Sequence, residues 1–431
     1  MSLVLSLLLA CSSSNEEVLP LPLEEDQLSD KVPPTNMHHD EPGIKQKTIT
    51  LENIDNYAIS LPIKKAQTYS ARLSGSQNDT ILALRKIIQQ HALSGEDPWA
   101  IAHALLALGA DAKLLSGEMA LDRLFDFASI KIMKKRTVPY FPKDKKINGK
   151  TILIEPHKHL IAKVLTEIGI PPTYEFRINQ TAFTMDEYYK GIVLSSYLNP
   201  YTNDSSYSSP DDMAWSVQAL TTILKPHQEW EAENGQVMNS DQLSMFLVAV
   251  LAKETDTLKK SMAAGADFKK DGKGIFQYTC GGAHLLQGSA YAMARGFGNE
   301  ATNAEIQMQI ELLFYRFPRE LKIYDALMME RPDYKIKLLV QRLKFVGHFL
   351  ESAQKMAMIG LYEPTEKQVR MMHGAMDQIV LITSALSTEG VYKELYYLKV
   401  NDHQLYLDVL GDTCHALYAM RLFNGDVRIK Y

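Results

Sequence analysis

Two Thr-Cys pairs stand beside histidines. Thr279-Cys280 precedes Gly281-Gly282 and His284, and Thr413-Cys414 is followed directly by His415. Thiolate and imidazole are the ligands zinc prefers, and a catalytic zinc keeps three protein ligands and one open position for water or substrate. Cys280, His284, Cys414 and His415 are the candidates for those three. The same thiols could instead close a disulfide, or pack as small buried hydrophobes. A Cys280–Cys414 bridge would close a loop of well over a hundred residues, which in the chain-entropy model contributes on the order of 4–5 kcal/mol. A second cluster lies in Ser208-Ser-Pro-Asp-Asp-Met-Ala-Trp215. One of Asp211 and Asp212 could be a general acid or base, with Trp215 as a platform for a sugar or other ring. The structural alternative is that acids in a first helical turn are favoured by about 0.3–1 kcal/mol at the positive end of the dipole. His103, four residues after Trp99 in "DPWAIAHALLALGAD" (97–111), is a lone histidine on an apolar helix, a pattern that more often marks a core residue than a ligand. His157 and His159 read as residues of a helix start.

Helices must position these groups. Apolar residues recur at three- and four-residue spacing over Thr80–His91, Pro98–Leu108, Glu118–Phe127, His157–Ile168, Met185–Tyr197, Asp211–Leu224, Ser240–Lys253 and Ala283–Arg295. The pattern continues over Asn303–Arg316, Tyr334–Ile359, Glu366–Leu386 and Thr413–Phe423. Asp97-Pro98, Ser209-Pro210 and Asp412 supply N-caps or a first-turn proline. The chain is therefore expected to be all-α, with at most a small β ribbon near residues 47–62 and 150–155. If the helix of His284 already runs through Gly281-Gly282, Cys280 and His284 share one of its faces. The Met-rich run at 356–376 reads as core packing. No phosphate loop, Gly-x-Ser-x-Gly elbow, His-Glu-x-x-His or dinucleotide fingerprint occurs,.

The N-terminus locates the protein. "MSLVLSLLLACSSSNEE" has an apolar run ending in Leu8-Leu9-Ala10-Cys11. It resembles the lipobox of bacterial lipoproteins, which implies a signal peptide at 1–10 and a lipidated Cys11. Ser12, with no Asp at that position, fits outer-membrane sorting. Residues 11–48 are acidic and rich in Pro and Ser, too poor in apolar surface to repay ordering, and read as a tether. A body at 49–431 would then be held at the envelope through Cys11, with the membrane as partner. The net charge of −5 and the dispersed basic residues point away from nucleic acid. Thiols outside the cytoplasm are usually oxidised, so the location ranks the disulfide first, free thiols second and zinc third.

Four segments have a common character. Residues 97–111, 211–224, 281–296 and 412–423 are rich in small side chains, begin at Asp or Gly, and carry Trp or His in the first turns. This resembles α/α-toroids, the group of lanthionine cyclases, prenyltransferase β subunits and many glycan-degrading enzymes. The resemblance implies a ring of helical hairpins whose inner helices open their N-termini on a central cavity, and it places both cysteines at such ends. It further implies a glycan-like ligand cleaved by hydrolysis or elimination. Asp211 or Asp212 would be acid/base, His284 and His103 partners, and Trp215 and Trp99 the ligand platform. No cofactor is then required. Lanthionine cyclases hold zinc with one Cys and a later Cys-His pair, roles that Cys280, Cys414 and His415 would fill, although Ala416 stands where that family has Gly. A non-catalytic binding scaffold is the third alternative.

Overall fold

The structure, a computed structural model, describes residues 48, 70–133, 136–199, 201–278 and 280–427. The lipobox, Cys11, most of the tether and the ribbon expected at 47–62 lie outside them, apart from Thr48. In chain order the helices are α1 (Gly75–Ala92), α2 (Pro98–Leu108), α3 (Ala120–Phe125), α4 (Leu160–Glu167), α5 (Met185–Leu194), α6 (Pro210–Ile223), α7 (Ser240–Glu254), α8 (Asp256–Ala263), α9 (Ala283–Ala294), α10 (Glu300–Glu330), α11 (Lys335–Met358), α12 (Glu366–Thr388), α13 (Leu395–Asn401) and α14 (His403–Asn424). The fold is all-α in its core. Among the described residues no helix is long and apolar enough to cross a membrane.

Six helices form a closed circuit of packed pairs: α2 on α4, α4 on α6, α6 on α9, α9 on α11, α11 on α14, and α14 back on α2. The remaining long helices alternate with them along the chain and pack outside. For example, α7 lies against α6 and α9, α10 against α9 and α11, and α12 against α11 and α1. The circuit helices are buried nearly all round. Ala100 to Ala107 of α2 and Val409 to Met420 of α14 are buried without interruption. A helix apolar on every side belongs inside a protein, whereas one with a polar stripe lies at its surface. Small residues permit the close approach. A Cβ added at Gly288 of α9 would overlap the backbone of Ala214 in α6. Gly347 of α11 faces the backbone of Ala416 in α14, and its Cβ would lie 3.3 Å from that amide nitrogen.

Start signals worked where they were local. Asp97 accepts from the Ala100 amide at 3.1 Å, and Ser209 caps α6. Asp412 does not cap. Asp402 caps α14 instead, accepting from Leu405 N at 3.1 Å, so Asp412 and Cys414 lie inside the helix. The two Thr-Cys segments are therefore not equivalent, and only Cys280 precedes a helix. Pro318 does not end α10, which continues to Glu330.

The expectation of at most a small ribbon is also corrected. Five two-stranded antiparallel ribbons occur among the described residues. β3 (Asp144–Ile147) with β4 (Lys150–Leu153) is the one anticipated. The pairs β1–β2 (Ser129–Met133, Arg136–Tyr140), β5–β6 (Glu175–Ile178, Thr181–Thr184), β7–β8 (Leu198–Asn199, Asp204–Ser205) and β9–β10 (Glu229–Glu231, Val237–Asn239) were not. Asn148-Gly149 and Asn179-Gln180 take positive φ at both turn positions, which sets the twist that tight hairpins need. The ribbons decorate helix connections and leave the circuit intact.

Gly288→Ala tests that crowding. Its methyl group meets backbone, so α6 and α9 must separate. Thermal or denaturant unfolding is expected to show a loss of about 1–3 kcal/mol, and no loss would mean the two helices are not in such contact.

Candidate functional site

The circuit closes around a polar plug. Lys355 of α11 is fully buried between Glu351, at 2.5 Å, and Glu167 of α4. Glu167 also accepts from Lys163 at 2.8 Å, Gln218 of α6 at 2.9 Å and Tyr418 of α14 at 2.8 Å. Gln287 of α9 accepts from Lys355 at 3.1 Å and donates to Ser352 at 2.9 Å. Five of the six circuit helices thus meet in one hydrogen-bonded cluster. Burial alone would push Glu167 up, but Lys163 and Lys355 override it and hold its carboxyl down to about 2. The axis is filled at this level, where a central hollow was expected.

Beside the plug runs a continuous train of rings. Trp99 and His103 of α2 have centroids 4.0 Å apart, and His103 is 5.6 Å from His415 of α14. His415 lies 4.2 Å from His348 of α11 and 6.0 Å from His284 of α9. His284 is 4.7 Å from Trp215 of α6, and Trp215 is 4.6 Å from His157. The train ends on carboxylates. His157 Nδ1 is 3.2 Å from Asp212 Oδ1, and Ser208 N donates to Asp212 Oδ2 at 3.0 Å. Trp99, His157 and His284 are half-buried, so the belt reaches solvent at these points; the others are buried. Residues chosen from sequence for their chemistry therefore come together: Trp99, His103, Asp211, Asp212, Trp215, His284 and His415.

Their protonation is set by burial. Burial pushes Asp211 up to about 6, with Asp212 adding to the rise and His157 opposing it. Asp211 Oδ1 is buried without a partner. Burial and the neighbouring His415 bring His103 down to about 3, although its Nδ1 lies 2.8 Å from the Trp99 carbonyl. Burial followed by His415 lowers His348 to about 4, and burial followed by His348 lowers His284 well below its usual range. These imidazoles are neutral at pH 7.

The segment Cys280-Gly281-Gly282 is a turn, not helix. Gly281 and Gly282 have φ of +58° and +77°, and α9 begins only at Ala283. A side chain at Gly282 would overlap Ile275. Arg316 of α10 holds the turn by donating to the Gly281 carbonyl at 3.0 Å, while its Nε donates to Glu320 at 2.8 Å. Cys280 and His284 are therefore not residues of one helical face.

The expected disulfide is not formed: Cys280 and Cys414 are both free and buried. Cys280 sits in the turn before α9, while Cys414 lies well inside α14. Burial first, then Asp211, pushes the Cys280 thiol up to about 12. Burial and Asp412 raise Cys414 as well. Both are neutral thiols. His415, Glu351 and His348 instead bring ligand atoms within 4.8 Å of one another, and neither cysteine belongs to that group. Adjacent helical residues point about 100° apart, so His415 can face α11 while Cys414 does not.

Several site residues escaped the sequence reading. Lys163/Glu167 and Glu351/Lys355 are opposite charges four apart, the usual sign of a solvated helix face, yet all four are buried. The apolar windows "LIAKVLTEIG" and "FLESAQKMAMIG" around them were the available signal. His157 was read as part of a helix start and proves to be the link between Trp215 and Asp212. His159 takes φ +65°, rare for a side-chain-bearing residue, and its ring reaches Ser216 Oγ at 2.7 Å and Ser195 Oγ at 3.3 Å.

No protein-family model, curated protein or solved structure matches the chain.

Asp211→Asn has a pH signature. An acid raised from 3.8 to about 6 in the fold destabilises it when ionised. That cost begins above the unfolded value and is complete above the folded one. The variant should be more stable than wild type by about 1–3 kcal/mol at pH 7–8, since a tenfold change in proton affinity corresponds to about 1.4 kcal/mol. The difference should vanish by about pH 4. Urea unfolding across this range checks it, and a pH-independent difference would contradict the assignment.

Proposed function

We propose that the chain is an α/α-toroid lipoprotein of the bacterial cell envelope. It would be anchored at the outer membrane through Cys11, and its inner-helix belt would bind and cleave a glycan-like ligand. The closed circuit of α2, α4, α6, α9, α11 and α14, alternating with outer helices, supports the toroid reading. The Leu8-Leu9-Ala10-Cys11 sequence and the polar segment after it support the anchor.

One observation carries the chemistry. Rings from five circuit helices, joined by His157, form a single train that ends on Asp212, and its neighbour Asp211 stands in a different setting. Asp212 is engaged by His157 and by a backbone amide, while Asp211 keeps a free oxygen. Carboxyls in unlike environments can divide acid and base roles. In this reading Asp211 gives its proton to the leaving oxygen. Asp212 with His157 removes a proton from water in hydrolysis, or from carbon in elimination. Trp215 and Trp99 present apolar faces to the sugar ring, with His284 and His103 as neutral hydrogen-bonding partners. No metal is required for this step.

The test is cleavage of a panel of neutral and acidic polysaccharides and peptidoglycan fragments. Hydrolysis would be read by new reducing ends, and elimination by the ultraviolet absorbance of the new double bond. Wild type should release product, Asp211→Asn should lose on the order of 100-fold or more in turnover, and Trp215→Ala should weaken binding. Binding without product, unchanged in Asp211→Asn, would favour the non-catalytic scaffold. Neither binding nor product across the panel would contradict the glycan reading.

A further inference from the structure

We infer that His348, Glu351 and His415 form a binding site for a divalent transition-metal ion of the zinc class, with the ring of His284 packed beside it. This goes beyond the glycan reading and does not depend on it. It also replaces the cysteines expected from sequence with imidazole and carboxylate.

Geometry carries the assignment. His415 Nδ1 lies 2.7 Å and His348 Nδ1 3.5 Å from the same oxygen, Glu351 Oε2. Nitrogen and oxygen ligands bind zinc at about 2.0–2.2 Å in a tetrahedron, which sets neighbouring ligand atoms about 3.4 Å apart. The two distances bracket that spacing, so an ion fits with a shift of less than about 1 Å at His415.

The second observation is a deficit of partners. The Nδ1 atoms of His348 and His284 are buried and make no hydrogen bond. Buried polar atoms are normally satisfied, and exceptions ask for an explanation. The two rings lie 5.1 Å apart and both approach His415. A cation held by the triad would satisfy the His348 nitrogen. Neutral imidazole is also the form that binds metal.

The supporting shell is present. Glu351 Oε1 is held by Lys355 at 2.5 Å, leaving Oε2 to face the histidines, and such outer contacts orient ligands. His348 also lines a small cavity of about 20 Å³ that touches Cys280, Arg316, Gln309 and Thr255, enough for a water-sized ligand. Lys355 already balances part of the Glu351 charge, so the ion should bind reversibly and yield to chelator.

The experiment uses the full chain, stripped with chelator and titrated with Co²⁺ and then Zn²⁺. Visible absorption reports coordination and calorimetry reports stoichiometry. One equivalent of Co²⁺ should give intense four-coordinate d–d bands, displaced by Zn²⁺. His348→Ala breaks no hydrogen bond at Nδ1, so it should fold, as circular dichroism will verify, yet bind at least ~100-fold more weakly. The Cys280→Ala/Cys414→Ala double variant should bind like wild type. Asp211→Asn should also bind like wild type, which separates this test from that of glycan cleavage. Absence of stoichiometric binding would overturn the assignment, as would binding unchanged in His348→Ala or lost in the cysteine variant.

Discussion

A buried ammonium between two buried carboxylates organises this protein. Lys355 has no exposed surface, and neither do the side chains of Glu167 and Glu351. Removing charges from water costs several kcal/mol per ion, and mutual attraction offsets that only with good geometry and full hydrogen bonding. Here the geometry is met by groups from different helices: Lys163 and Glu167 on α4, Gln218 on α6, Gln287 on α9, Tyr418 on α14. Each donor or acceptor completes another's coordination. Displacing any of these five helices removes a partner from the buried cluster.

The plug also fixes the belt. Glu351 accepts from Lys355 on one oxygen and meets His415 on the other, so the ring train is keyed to the charged cluster. A second ion network lies at the start of α9. Glu320 binds Arg316 at 2.7 Å and Lys270 at 2.8 Å, and Arg316 reaches the Gly281 carbonyl. It sets the turn from which α9 starts, and thereby the position of His284. Bulk apolar burial supplies most folding free energy, but these directional contacts decide which residues face one another.

Helical architecture was legible because local rules govern it. Pro98–Leu108 was bounded by its cap and by Gly109, and the structure ends it at the same residues. The four small-residue segments did mark circuit helices, since close helix packing demands small side chains. What was not legible is long-range. Asp412 looked like a cap from its neighbours alone, and burial against Lys344 of α11 (3.9 Å) has no signature in the local window. Glu351 and Lys355 looked like a surface pair because i,i+4 charges do not reveal which way the helix faces. The chemical residues Trp99, His103, Trp215 and His284 could be selected by type, but their common destination depends on the closure of α14 onto α2. Cysteine pairing failed for a related reason: similar local words, Thr-Cys, sit at a helix entry in one case and mid-helix in the other.

The most direct measurement is the equilibrium unfolding free energy of Lys355→Met at neutral pH. Methionine keeps the volume and removes the charge that separates Glu167 from Glu351. A loss of about 3–5 kcal/mol in one cooperative transition is predicted, the usual cost of stranding a buried partner. A change below about 1 kcal/mol would contradict the account, because the helices would then pack together without the ion cluster.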